Sequence, residues 1–232
     1  MALPPDPTST FVREVDEELR KEQMETAAKK YGGLFAVLAV LVLLAAGGYL
    51  LWRDRQAKQS EAATEQLKQA YDQIGAGKPK AAGEMLGKLQ GEDGAVGASA
   101  RLATAALAIE KGDKKAALAQ YAAIANDKDL AQAYRDLALV RQTLIEYDGL
   151  KPDEVIRRMQ PLAVSGNPFF GTAGELTGMA LIAKGQPKQA GELFAKVAAD
   201  TQLPDSLRSR AVQIAGSLGV DASASLPSAA IQ

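Results

Sequence analysis

Neither cysteine nor histidine occurs among the 232 residues. Without cysteine there are no disulfides, no thiolate nucleophile and no site for a lipid to be attached through sulfur. Without either residue the usual zinc and transition-metal sites disappear, as does any triad built on a histidine base. Neither a metal nor a cofactor is therefore expected. An excess of charge of either sign is missing too: 27 Lys and Arg stand against 28 Asp and Glu, and residues 53–232 hold 22 against 21. Aromatic residues make up only 5% of the chain, and no basic stripe is interleaved with them, so nucleic acid is not an expected partner. What remains for acid–base chemistry is carboxylate. Glu110, Asp113, Asp127, Asp129, Asp136 and Glu146 are scattered without paired spacing, no glycine-rich phosphate loop accompanies them, and no nucleophile, base and orienting group can be assembled. Catalysis is not expected.

One long apolar run is present. Leu34–Trp52 (LFAVLAVLVLLAAGGYLLW) is uncharged over nineteen residues, and a helix of that length reaches about 28 Å, enough to cross a bilayer once. Lys29 and Lys30 close it on one side and Arg53, Arg55 and Lys58 on the other, with Tyr31, Tyr49 and Trp52 at headgroup level. Thirty or more residues precede the run and Tyr49–Trp52 follow its small AAGG stretch, a pattern that predicts an uncleaved anchor rather than a signal peptide. Charge does not orient it, because four Lys or Arg lie within about 18 residues on each side.

The rest of the chain divides around this run. Residues 1–30 form a short N-terminal segment, proline-rich at first, then a charged amphipathic helix with Phe11, Val12, Val15 and Leu19 at helical spacing. That stripe suits a partner contact, self-association or lipid headgroups equally. Residues 31–52 are the expected transmembrane helix, 53–218 a repeat domain opening with an Ala-, Gln-, Glu- and Lys-rich helix, and 219–232 (GVDASASLPSAAIQ) a disordered tail.

Four stretches superimpose: GKPKAAGEMLGKL from Gly77, GDKKAALAQYAAIA from Gly112, LKPDEVIRRMQPLA from Leu150 and GQPKQAGELFAKVA from Gly185, at spacings of 35, 38 and 35. Each has a small or β-branched residue five positions on (Ala82, Ala117, Val155, Ala190). A large apolar residue follows four later (Leu86, Tyr121, Met159, Phe194), and another three after that (Leu89, Ile124, Leu162, Val197). These share one helical face. A further helical segment precedes each stretch, so the unit is a helix pair with a period near 34, that of tetratricopeptide repeats. The expected fold is all-α: a single N-terminal transmembrane helix followed by a tetratricopeptide-like α-solenoid, an ordinary helical bundle being the alternative. The third unit carries extra residues around Tyr147–Lys151.

The charged N-terminus, the single span, and VGASARLATAALAIEKGDKKAALAQYAAI, AYRDLALVRQTL and AGELTGMALIAKGQPKQAGELFAKV together resemble the bacterial ancillary SecYEG translocon subunit family, over roughly residues 10–216. The resemblance implies a single-pass inner-membrane protein with its N-terminus in the cytoplasm and its repeats in the periplasm. It also implies a non-catalytic scaffold beside the SecYEG translocon that works with periplasmic chaperones or emerging polypeptides. Related repeat domains occur in a periplasmic cell-division coordinator, which leaves an envelope-assembly role as the alternative. In a solenoid the first helices of successive repeats line the concave surface. The register puts Leu102, Ile109, Leu137, Leu144, Met179 and Ile182 there as a candidate protein-binding groove, or else as core between neighbouring helices.

Overall fold

In the computed structural model, which describes residues 7–226, the same tight turn recurs along the chain. Gly77, Gly112, Gly185 and Gly219 all adopt positive φ, between 68° and 82°. At each, the glycine N–H donates to the carbonyl three residues back, and the next N–H donates to the carbonyl five back, as from Asp113 to Ala108 and from Gln186 to Leu181. This is a Schellman closure, which satisfies helix carbonyls and needs a residue without a Cβ at its left-handed position.

The first three of these turns join first to second helices. In chain order the helices are α1 Pro7–Gly75, α2 Pro79–Leu89, α3 Gly94–Glu110, α4 Lys114–Asn126, α5 Gln132–Glu146, α6 Pro152–Met159, α7 Phe170–Ala183, α8 Pro187–Ala199 and α9 Asp205–Ser217. Short 3-10 turns occupy Tyr147–Gly149 and Ser223–Ser225. The second helices start for local reasons. Pro79, Pro152 and Pro187 sit in the first turns of α2, α6 and α8, where a missing N–H costs nothing. In α4 the carboxylate of Asp113 accepts from the Ala116 N–H instead, at 2.9 Å.

The chain divides between Ala62 and Ala63 into two compact units. In the first, the backbone from Pro7 is helical throughout. Side chains at Phe11, Val12, Val15 and Leu19, and at residues 34–37 and 39 of the apolar run, lie outside those described. Among the described residues no helix is long and apolar enough to cross a membrane. The described part of the run is nonetheless bare: Leu38, Val40–Leu44 and Tyr49–Trp52 are each more than half exposed, on every side of the helix.

The second unit is the solenoid. Its packing begins at Ala63, ten residues beyond the expected start at Arg53, because every side chain from Arg53 to Ala62 is exposed. Each helix from α2 to α9 packs on the next, and α3 also touches α5, as α5 touches α7. All twelve positions of the repeat register are buried: the four small ones at 2% exposure or less, the others at 6% or less. Fully burying one such large apolar side chain stabilises the fold by about 1.5–3 kcal/mol. The third unit breaks the pattern. Its extra residues form the 3-10 turn Tyr147–Gly149 in place of a Schellman closure, and Pro161 helps confine α6 to eight residues.

The expected disordered tail is corrected over its first eight residues. α9 ends in a fourth Schellman turn at Gly219, 34 residues after Gly185, so it is a fifth first helix. Instead of a second helix, Val220–Leu226 lies across α8 and α9, with Ala222 buried and Val220 and Leu226 packed on the same cluster. Arg208 fastens this strap, its Nη2 donating to the Ser225 carbonyl at 3.0 Å and its Nε to that of Ala198 at 3.0 Å. Residues 227–232 lie outside those described.

Small residues also set the α7–α8 crossing. A Cβ on Gly178 would stand 2.5 Å from the Phe194 ring, and one on Gly174 would stand 2.7 Å from Val197. Gly178→Ala is therefore expected to lower the urea midpoint by an amount worth roughly 1–3 kcal/mol. Gly87→Ala, inside α2 with open space around it, should raise it by roughly 0.5–1 kcal/mol. Equal shifts at both sites would mean that Phe194 is not seated against α7.

Candidate protein-binding groove

Counting back from each turn sorts the exposed apolar residues of the first helices. Tyr71 lies six residues before Gly77, Met179 six before Gly185, and Leu144 six before Leu150, the start of the irregular third unit. They are 45%, 46% and 42% exposed. Ala106 takes the same place on α3, and Ile109, one turn further on, is 38% exposed. The contacts of α3 with α5 and of α5 with α7 set these helices side by side. Tyr134 of α5 also acts on Tyr71 of α1: the Tyr71 phenol is pushed up from its ordinary value first by partial burial and then by Tyr134. First helices thus share one side of the solenoid.

The six residues expected to line the groove separate into two groups. Ile109, Leu144 and Met179 are exposed on that side. Leu102, Leu137 and Ile182 are half-buried. Leu102 packs on the cluster of Ala105, Tyr121 and Ile124, and Ile182 on that of Phe170 and Phe194, so both serve the core as well as the surface. Tyr71 is not among the six, although its distance of six residues to Gly77 marks it as their counterpart on α1.

Polar chemistry lies elsewhere. Where α5 and α6 part, a cleft of about 610 Å³ is lined by Asp136, Leu139, Gln142, Arg157, Arg158 and Leu162 among others. Its guanidinium groups are already engaged. Arg158 donates to Glu146 and to Glu154, each at 2.6 Å, and Arg157 reaches Glu154 at 2.6 Å. Hydrogen bonds from Arg157 and then Arg158 hold the Glu154 carboxyl at about 2, below its usual 4.5. A carboxylate depressed in the folded state contributes stability above its unfolded pKa and loses it as pH falls toward the folded one. Between about pH 5 and pH 2 the 53–232 fragment should therefore lose more of its melting temperature than the Glu154→Gln variant does. Parallel curves for the two would remove this carboxylate from the acid response. Asp127 shifts in the same direction through Arg101, which donates to it at 2.7 Å, and through the Asp129 N–H. No cluster of three or more potential metal ligands occurs among the described residues.

A family model described as a tetratricopeptide repeat-like domain matches residues 28–215. No curated protein and no solved structure gives a significant match.

Proposed function

The chain belongs to the tetratricopeptide repeat-like domain family, and we propose that it is a non-catalytic scaffold that captures a protein segment on its first helices while Leu34–Trp52 anchors it in a membrane. Domains of this family generally act as protein-interaction scaffolds. The observation that carries the reading is the row of exposed apolar residues, Tyr71, Ile109, Leu144 and Met179, on helices that face the same side. Isolated exposed apolar residues need no explanation, but a set on successive first helices, three of them in the same register position, has the form of a binding surface. The anchor is supported by the bare apolar run, since a helix that is apolar all round requires a partner that is apolar all round.

The finer reading rests on the sequence resemblance. It assigns the protein to a bacterial inner membrane, with the N-terminus cytoplasmic and the repeats periplasmic, beside the SecYEG translocon and in contact with periplasmic chaperones or emerging polypeptides. Crosslinking in intact membranes followed by pull-down of the full chain tests this directly, with channel subunits and chaperones expected. Recovery of division or peptidoglycan machinery alone would replace the translocon role with that of an envelope-assembly coordinator. Alkaline phosphatase fused after residue 216 should be active; an inactive fusion beside an active cytoplasmic reporter at the same place would invert the topology.

A further inference from the structure

The last turn of the apolar run carries more than a hydrophobic end. Tyr49 and Trp52 pair their rings, with centroids 6.1 Å apart and planes tilted by 38°. Beyond them stand three cations and one acid, and their placement around the helix is uneven. At about 100° per residue, Arg55, Trp52, Tyr49 and Arg53 follow one another within an arc of about 160°. Asp54 and Lys58 fall on the opposite side, where they pair with each other at 2.8 Å. The acid is thereby consumed away from the arginines. Arg53 and Arg55 have no ion-pair or hydrogen-bond partner among the described residues, and both are exposed. The result is a tilted aromatic pair flanked on both edges by a free guanidinium.

We propose that Tyr49, Trp52, Arg53 and Arg55 form a one-sided collar that binds the phosphate groups of anionic lipids at the edge of the bilayer. From Tyr49 to Arg55 the helix rises about 9 Å, comparable with the depth of the interfacial zone on one side of a bilayer. Tyrosine and tryptophan settle at that level because their rings are apolar at one end and polar at the other. A guanidinium offers a planar fork of donors that matches two phosphate oxygens, and two such forks on either side of the ring pair bring two positive charges to a negatively charged surface. Charge complementarity selects anionic over zwitterionic headgroups, since the latter carry a cation of their own. This collar rests on the anchor reading, and the two can fail separately.

The chain's single tryptophan, Trp52, is itself the probe. The full chain is reconstituted into mixed vesicles of phosphatidylglycerol and phosphatidylcholine, with bromine on the acyl chains of one lipid or of the other, and Trp52 quenching is read. Brominated phosphatidylglycerol should quench more strongly at the same mole fraction, corresponding to a relative association up to about thirtyfold higher, as two arginines near an anionic surface provide. Bromines near the headgroup end should quench more than bromines near the chain terminus. The Arg53→Gln/Arg55→Gln double variant should lose the lipid preference while keeping the depth profile, and about 1 M salt should weaken the preference in the wild type. Equal quenching by both lipids, or a preference that survives the double variant, overturns the collar while leaving the anchor in place. Deepest quenching at the chain terminus also overturns it. Failure of Trp52 to be quenched by either lipid, together with failure of the protein to float with the vesicles, overturns the anchor and the collar with it.

Discussion

Phe194→Ala is expected to cost the repeat unit roughly 3–5 kcal/mol, the range for emptying a fully buried aromatic position. Phe194 has no exposed surface and sits at the centre of the cluster formed by α7, α8 and α9. On the α7 side the ring lies against Gly178, with Gly174 one turn back, so these two positions offer no side chain to fill the space. On the α8 side the neighbours Ala190 and Ala198 are short. Closing the cavity by moving α7 would disturb its packing on α6 as well as on α8. For a domain of about 170 residues the loss corresponds to a fall in melting temperature of roughly 6–20 °C. Ala190→Leu makes the opposite change at the same crossing, overpacking where Phe194→Ala empties, and should cost roughly 1–3 kcal/mol. Urea titration of the 53–232 fragment checks both. Midpoints that barely move in either variant would mean that α8 does not meet α7 through this face.

The same crossing shows what could be read in advance and what could not. The second helices were legible because their register repeats in plain residues: Ala82, Ala117, Val155 and Ala190 all proved to be buried, as did the large residues four and seven positions later. Gly174 and Gly178 were not legible because they lie on the first helix, outside the repeated register of the second. Close approach of two backbones needs space on both partners, and Phe194 takes its room from α7. The strap after α9 escaped for a different reason. GVDASASL has the small, polar composition of an unstructured tail, and nothing local in it foretells the Arg208 guanidinium reaching the Ser225 carbonyl seventeen residues away. Yet Gly219, one more period after Gly185, already marked the end of a fifth first helix. Gly191 on α8 completes the fit, since a Cβ there would stand 2.7 Å from Val220. For the groove, the register found which helices face together, but it could not tell the exposed Leu144 and Met179 from the half-buried Leu102 and Ile182. That difference depends on which neighbours each side chain meets across the solenoid, Leu102 the Tyr121 cluster and Ile182 the Phe194 cluster.

Leu144→Ser combined with Met179→Ser is expected to reduce capture of the bound protein segment at least tenfold while leaving the solenoid folded. Both side chains stand on first helices in equivalent places and are more than 40% exposed, so their removal opens no interior cavity. Substitutions at exposed sites usually shift stability by less than about 0.5 kcal/mol. Binding surfaces respond differently, because a few central apolar residues carry most of the affinity and truncating one such anchor typically costs about 2 kcal/mol or more. Two adjacent anchors lost together are thus worth more than a factor of about ten in association. Leu102→Ser is the contrasting variant. Leu102 packs against the Ala105, Tyr121 and Ile124 cluster, so its replacement should lower the melting temperature as well as weaken capture. Paired measurements separate the outcomes: thermal unfolding of the 53–232 fragment beside crosslinking of the full-length variant in membranes. Unchanged crosslinking by a normally folded double variant would move the binding surface off the first helices. A large fall in melting temperature in the double variant would show instead that Leu144 and Met179 hold the helices together rather than line a groove.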